Sequence, residues 1–242
     1  TTLFRSKINN NKNKAQGEFE VARISSRSGQ YDEVMSINIK DEDQSRKDLA
    51  RLAEWNADAD THSILIEGNF IGINESENVR LVLTDTPGPN NSQNNNHELV
   101  TMKHIQDTDR NPMILYILNA TQLGIRDDQG LLRDISNIMK QGGKQSRERF
   151  LFILNKADEF DVGKGEDVFK VVQRAKEYLK KNGIDEPRIY PISARLASLF
   201  RKRELSSNLI TINELGDLYK FEVVFDQIES MNLIQYMPLS NS

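Results

Sequence analysis

The sequence predicts an α/β fold with a mostly parallel central sheet, and three observations support this prediction. Four short apolar runs recur along the chain, helical patterns fill the intervals between them, and the runs are continuous rather than alternating. Continuous apolar runs are typical of strands that are buried on both faces. Strands that alternate with helices imply right-handed crossovers and parallel pairing. The runs are "RLVLTD" (80–85), "MILYILNA" (113–120), "RFLFILNK" (149–156) and "RIYPISA" (188–194).

Two helices between these runs have clear end signals. "GEDVFKVVQRAKEYLKKNG" (165–183) carries Glu166 and Asp167 in its predicted first turn and two lysines in its last, as the helix dipole favours. Gly183 is a natural C-terminal cap. "DDQGLLRDISNIMKQGG" (127–143) begins with two aspartates and stops at a glycine pair. Both segments are therefore predicted to cross between parallel strands.

The two ends of the chain have a different character. "EFEVARIS" (18–25) and "SILIEGNFIGI" (63–73) read as strands, and a helix is predicted between them around 43–55. We expect residues 1–75 to form an insertion on the same sheet, 76–204 to form the core, and 205–242 to close the domain. Apolar residues at helical spacing predict that this closing segment is a helix over 212–237.

Composition excludes several classes of function. The 242 residues are 37% hydrophobic, which is enough for a substantial core. Acidic residues outnumber basic ones 36 to 32, so no nucleic-acid partner is expected. The absence of cysteine excludes disulfides, thiolate zinc sites and cysteine nucleophiles. No apolar stretch approaches the roughly 20 residues that span a bilayer, so a cytoplasmic location is predicted.

Distinctive polar motifs follow three of the four apolar runs. "DTPG" (85–88) follows the first, "NKAD" (155–158) the third and "ISA" (192–194) the last. Each motif alone is weak, since Asp, Pro, Gly and Asn are common in turns and caps. In an open parallel sheet, however, ligands bind where the carboxyl ends of neighbouring strands converge. The joint occurrence of the motifs in this order therefore predicts one ligand site.

These motifs resemble the guanine-nucleotide-binding motifs of the P-loop GTPases. The fuller runs "LTDTPGPN", "LNATQLGIRDDQ", "ILNKADEF" and "IYPISA" resemble those of dynamin-like large GTPases, especially bacterial ones, over roughly residues 63–200. The resemblance implies a three-layer P-loop GTPase-like sandwich that binds GTP or GDP with Mg²⁺ and hydrolyses GTP to GDP and phosphate. It also implies self-association through the nucleotide face, and membrane contact only through other regions of the intact protein.

The resemblance assigns the phosphate side of the site to "DTPG". Asp85 would hold magnesium through a water, because this ion keeps much of its hydration shell. Gly88 would present its backbone N–H to the terminal phosphate, where a side chain would obstruct the approach. Thr86 and Pro87 belong to the same nucleotide-binding loop. No catalytic residue is assigned, because Pro89 stands where small GTPases carry a water-orienting glutamine.

The resemblance assigns the base side of the site to the other two motifs. Asn155 and Asp158 would face the base, with the Asp158 carboxylate accepting from the guanine N1–H and amino group. Lys156 would lay its methylene stem along the purine. Ser193 and Ala194 would supply hydroxyl or backbone contacts, with the Ala194 N–H donating to the guanine oxygen.

One required motif is missing from the chain. No GxxxxGKS/T occurs in the 242 residues, and this loop supplies the lysine and backbone cradle for the phosphates. We expect the chain to be truncated at its N-terminus and, as a segment, inactive. The alternative is a GTPase-fold scaffold protein that naturally lacks the loop. A third possibility is an α/β module unrelated to nucleotides, in which Asp85, Asn155 and Asp158 do not converge on one edge.

Overall fold

The chain folds as an α/β protein with two compact units, Thr1–His104 and Ile105–Ser242. The computed structural model describes residues 6–25, 28–58, 60–70, 81–86, 96–107, 109–124, 129–160, 162–205 and 210–238. Each unit has its own sheet and helices. None of the helices in these ranges has the length and apolar character that crossing a membrane requires.

The first unit contains a mixed five-stranded sheet in the order β3-β2-β4-β1-β5. Only β1 and β4 pair in parallel, whereas β1–β5, β2–β3 and β2–β4 are antiparallel. The prediction of a mostly parallel sheet is therefore wrong for this unit. β2 and β3 are joined only by residues 26–30, and so short a connection cannot return the chain for parallel pairing. The strands are β1 Ser6–Asn10, β2 Glu18–Ser25, β3 Tyr31–Asn38, β4 Thr61–Gly68 and β5 Val82–Thr84.

Helix α1 (Glu42–Ala57) covers the hydrophobic face of this sheet. Its N-terminus is capped by Asp41, whose carboxylate accepts from the Gln44 N–H at 3.1 Å. Trp55 is 5% exposed and is the largest side chain of the buried cluster. The sequence prediction of a helix around 43–55 is confirmed. The other fully buried members are Val21, Ile37 and Ile64.

A buried arginine ties the rim of the first unit together. Arg23 on β2 is 8% exposed, and its Nε donates to Thr61 Oγ1 at 2.8 Å. Its Nη2 lies 2.5 Å from an Asp58 carboxylate oxygen, and its Nη1 lies 3.3 Å from oxygens of both Asp32 and Glu33. The guanidinium therefore joins β2 to β3 and to the segment that leads into β4.

Glu33 has a second cationic partner. Arg51 on α1 hydrogen-bonds it, and its guanidinium carbon lies 5.8 Å from the centroid of the Trp55 ring. Hydrogen bonding to Arg51 is the main cause that lowers the pKa of Glu33, with Arg23 adding to the effect. These side chains line an open cleft of about 510 Å³. The main charged groups in this cleft form ion pairs with one another, so they stabilise the unit and do not by themselves indicate a ligand site.

The second unit contains a parallel sheet with order β6-β7-β8, formed by three of the four predicted runs. The remaining run, 80–85, forms β5 in the sheet of the first unit, so the prediction that all four runs share one sheet is wrong. The strands of the second unit are β6 Ile114–Asn119, β7 Phe150–Asn155 and β8 Ile189–Pro191. Its helices are α3 Gln129–Gln141, α4 Gly143–Glu148, α5 Val168–Lys181, α6 Ala194–Leu205 and α7 Ile212–Gln227, and α2 (Asn96–Ile105) precedes them in the chain. Helix α3 stops at the predicted glycine pair, whereas its predicted start at 127–128 lies outside the described residues.

The apolar runs predicted strands that are buried on both faces, and this prediction is wrong for β5 and β6. Leu115 and Ile117 on β6 are 51% and 66% exposed, and Val82 and Leu83 on β5 are 44% and 42% exposed. Both strands lie at the edge of their described sheets, so one side of each has no neighbouring strand there. On β7 the burial alternates, and the fully buried side chains are Phe150, Phe152 and Leu154.

Helix α5 follows its sequence signals closely. Asp167 is the N-cap rather than a first-turn residue, and its carboxylate accepts from the Lys170 N–H at 2.7 Å. At the other end Gly183 has φ +83°, and its N–H donates to Lys180 O at 2.9 Å. A side chain at this glycine would be strained by the positive φ and would lie 2.7 Å from Ser136 Oγ.

Replacement of Asp167 by alanine is expected to destabilise the second unit by about 1 kcal/mol, the usual cost of losing an N-cap. The hydrogen bond from Lys170 N lowers the pKa of Asp167 in the folded protein. Its contribution is therefore complete above the unfolded pKa of about 3.9 and is lost as the pH falls through the lower folded pKa. Urea unfolding at pH 7 and at acidic pH measures both effects. Asp167→Asn should keep the cap and lose this pH dependence; equal instability of both variants at pH 7 would contradict the assignment.

Helices α6 and α7 form a pair that closes the second unit. Leu196 and Leu199 pack against Leu218 and Phe221. The ion pairs across the two helices are Arg195–Asp217, Lys202–Glu214 and Arg203–Glu222. Helix α7 begins with a capping box and ends at Gln227, so the predicted helix over 212–237 is correct at its start and too long. Short 3₁₀ turns at 229–231 and 233–236 follow it.

Candidate functional site

The predicted base-side residues lie together at the carboxyl ends of β7 and β8. Asn155 is the last residue of β7, and a 3₁₀ turn over Ala157–Glu159 follows it. Ser193 and Ala194 lie just beyond β8, where α6 begins. The structure thus brings "NKAD" and "ISA" to one edge of one sheet, as the strand order requires.

A left-handed residue shapes the first of these loops. Lys156 has φ +75° and ψ +33°, a left-handed backbone conformation that residues other than glycine adopt uncommonly. The reversal is held in place because Ala157 N–H donates to Ile192 O at 3.1 Å, while Ile192 N–H donates to Leu154 O at 2.9 Å. Ala157 is 1% exposed, so this junction is buried. The backbone therefore fixes both motifs relative to each other.

Two side-chain hydrogen bonds also join the motifs. Ser193 Oγ donates to Asp158 Oδ1 at 2.6 Å, and Ala194 N–H donates to Asn155 Oδ1 at 3.0 Å. Ser193 is 5% exposed, and its Oγ also accepts from Leu196 N–H at 3.0 Å. The serine thereby links the Asp158 carboxylate to the first turn of α6.

This arrangement offers one acceptor and one donor to a ligand. Within the described residues, Asp158 Oδ2 and Asn155 Nδ2 make no further hydrogen bond to the protein. Both residues are half-buried. A carboxylate oxygen beside an amide N–H₂ group suits a heterocycle edge that carries donors next to an acceptor. The Ala194 N–H, which the resemblance assigned to the guanine oxygen, donates to Asn155 here, so a purine would share or displace this bond.

Lys156 itself is tethered across the turn. Its Nζ lies 3.0 Å from Glu159 Oε1, and the two side chains are 43% and 45% exposed. The Glu159 N–H also donates to Lys156 O at 3.1 Å. Glu159 was not identified from the sequence, because an acidic residue after "NKAD" carries no motif signal.

The end of β6 adds a third polar loop to the same edge. Asn119 is in register with Asn155, and Ala120 N–H donates to Asn155 O at 3.0 Å. Thr121 donates to Asn119 Oδ1 through both its N–H and its Oγ1, at 3.1 and 2.9 Å. The run "LNATQ" contributes to the resemblance, but the sequence assigns no residue in it to the site.

The phosphate-side residues belong to the first unit. Asp85 directly follows β5, and its N–H donates to Ser6 O at 2.8 Å. Desolvation of the carboxyl raises the pKa of Asp85, although the residue as a whole is exposed. Thr86 follows it, whereas Pro87 and Gly88 lie outside the described residues. A shared site of Asp85 with Asn155 and Asp158 stays a prediction.

The metal prediction rests on Asp85 alone. Among the residues that the structure describes, no group of three or more His, Asp or Glu side chains is arranged to hold a metal ion. A single carboxylate nevertheless fits Mg²⁺, which is commonly held by one or two carboxylates together with waters and substrate phosphates. The raised pKa means that a proton competes with the cation more strongly than at an ordinary aspartate.

No protein-family model matches the chain, and no curated protein matches it. The assignment of function therefore depends on the geometry of the site.

Proposed function

We propose that the chain belongs to a GTPase domain of the dynamin-like class, which hydrolyses GTP to GDP and phosphate in the intact protein. The observation that carries the proposal is the pair of hydrogen bonds that joins Ser193 to Asp158 and Ala194 to Asn155. A three-layer P-loop GTPase-like sandwich, self-association through the nucleotide face and a cytoplasmic, membrane-peripheral location belong to the same proposal.

The proposed base selection follows from the donors and acceptors of this pair. Guanine presents an N1–H and an amino group on one edge, and a carboxylate such as Asp158 accepts from both. Adenine presents an unprotonated N1 there, so two lone pairs would face each other. A polar group left unpaired in such a site costs about 1–3 kcal/mol, which favours guanine. The Asn155 amide N–H₂ adds a donor for the acceptors of the purine.

The proposed phosphate side uses Asp85 and its loop. When bound, Mg²⁺ would neutralise charge on the phosphates while the terminal phosphoryl group is transferred to water and GDP leaves. Asp85 would hold the ion through a water, with Thr86, Pro87 and Gly88 forming the loop against the terminal phosphate. Turnover also requires the lysine and backbone cradle of a GxxxxGKS/T loop. For this reason the proposed activity is that of the intact protein.

The Asp158→Asn variant of the intact protein tests the proposal. GDP affinity should fall roughly 5- to 150-fold, the equivalent of about 1–3 kcal/mol for an unsatisfied pair, while affinity for XDP should rise. Xanthine carries an oxygen in place of the guanine amino group, and the asparagine amide can donate to it. Titration calorimetry with GDP, XDP and ADP measures all three affinities.

The matched control is Asp185→Asn, which changes an exposed carboxylate elsewhere in the second unit. This control should retain the GDP preference. Retention of the same preference by Asp158→Asn would remove the assigned base contact. The scaffold alternative would be favoured if the intact wild-type protein bound no guanine nucleotide. It would also be favoured if no GxxxxGKS/T motif were encoded within about 30 residues upstream, the length of a strand-loop-helix unit.

A further inference from the structure

The Lys156 side chain is restrained at both of its ends. Its backbone is held in the left-handed region between Asn155, the last residue of β7, and Ala157, whose N–H donates to Ile192 O. Its ammonium group is held 3.0 Å from Glu159 Oε1. Glu159 N–H also donates to Lys156 O, so the backbone of the partner residue belongs to the same turn. The methylene stem of Lys156 therefore runs from a fixed backbone to an ion-paired ammonium group.

A tethered stem matters for a binding site. Lysine has four rotatable side-chain bonds, and a flexible side chain that must become ordered on binding weakens the affinity. A partner residue that orders the lysine side chain before the ligand binds removes that loss of affinity. The exposure of the pair, at 43% and 45%, keeps the ion pair weak enough to be sensitive to salt.

We propose that Glu159 is a positioning residue that holds the Lys156 stem ready to lie along the face of a bound purine. This inference rests on the proposed function, because it concerns the same site. It adds a residue outside the "NKAD" motif that sets affinity without choosing the base. Stacking of a methylene stem is insensitive to which purine is bound, so Glu159 should affect all purine nucleotides alike.

The test compares GDP binding by the intact wild-type protein with that of its Glu159→Gln variant in titration calorimetry. Glutamine keeps the size of the side chain and removes its charge. The dissociation constant for GDP should rise about two- to ten-fold, the effect of leaving one long side chain unordered. In a Lys156→Met background, the same Glu159→Gln change should have no further effect, since the ammonium partner is gone.

Salt dependence supplies a readout that a merely structural role would not alter. Raising the ionic strength should weaken wild-type binding toward the Glu159→Gln level, because an exposed ion pair is screened. The difference between the two proteins should therefore shrink. Glu177→Gln, at an exposed position on α5, is the matched control and should bind GDP as the wild type does.

Three results would overturn the inference: unchanged affinity of Glu159→Gln, tighter binding, or a loss that persists in the Lys156→Met background. Tighter binding would mean that the ion pair holds the lysine away from the ligand. The proposed function is judged separately, because it requires the change from GDP to XDP preference in Asp158→Asn. That change can be present while Glu159→Gln has no effect.

Discussion

Replacement of Phe152 by alanine is expected to lower the free energy of unfolding of the second unit by about 3–5 kcal/mol. Phe152 is at the centre of β7 and is 0% exposed. Its ring centroid lies 5.9 Å from that of Tyr116 on the neighbouring strand. Alanine would leave a cavity between the sheet and its helices, which close-packed neighbours fill only in part.

Urea unfolding followed by far-ultraviolet circular dichroism measures this loss, and hydrogen exchange of the β7 amides locates it. The control is Phe169→Ala on α5. This substitution removes the same number of atoms, but from a side chain that is 52% exposed. The control should cost far less. Similar losses from both variants would show that the packing of β7 does not dominate the stability of this unit.

Replacement of Arg23 by methionine is expected to destabilise the first unit by about 2–3 kcal/mol. Removing one partner of a buried ion pair leaves the other charges uncompensated, and here Asp32 and Asp58 would lose the guanidinium that faces them, whereas Glu33 would keep Arg51. The loss should fall short of the roughly 3–5 kcal/mol seen for fully buried pairs, because these carboxylates are 33–46% exposed and water can reach them.

Hydrogen exchange of the β2 and β4 amides is the direct measurement for this variant. Arg23→Lys keeps the charge but loses the forked geometry that reaches Thr61 and Asp58 together, so an intermediate effect is expected. Arg46→Met, at an exposed position on α1, should leave exchange unchanged. If the β2 and β4 amides of Arg23→Met exchange no faster than those of Arg46→Met, the ion pairs around Arg23 contribute little to stability.

The sequence predicted those elements whose signals are local. Helix α5 was found because Asp167, the apolar spacing and Gly183 mark its ends and its buried face. The strand β3 was missed, because "YDEVMSIN" contains two acidic residues that make it look like a polar loop. Those residues, Asp32 and Glu33, face Arg23, a contact that no local pattern reveals.

Burial and strand direction could not be predicted as well as strand existence. An apolar run such as "MILYILNA" indicates a strand but not how many neighbouring strands it has. The prediction of burial on both faces therefore failed for Ile117, which is exposed at a sheet edge. The antiparallel pairing of β5 with β1, with Leu83 opposite Ile8, likewise depends on contacts between distant parts of the chain.

The base-side site was predictable in its members but not in its bonds. Strand ends in a parallel sheet converge, so Asn155, Asp158 and Ser193 were expected to be neighbours. The order of the motifs could not show that the serine hydroxyl would donate to the aspartate, nor that Lys156 would be left-handed and tied to Glu159. These details arise from backbone geometry at the junction of two loops.

The burial of Trp55 gives the first unit an optical signal of its own. It is the one tryptophan of the chain, and its indole packs among Val21, Ile37 and Ile64. Emission excited at the red edge of indole absorption therefore reports opening of this cluster alone, whereas ellipticity sums over every helix and strand. A red shift of the emission that precedes the loss of ellipticity on heating would record the first unit melting while the second remains folded.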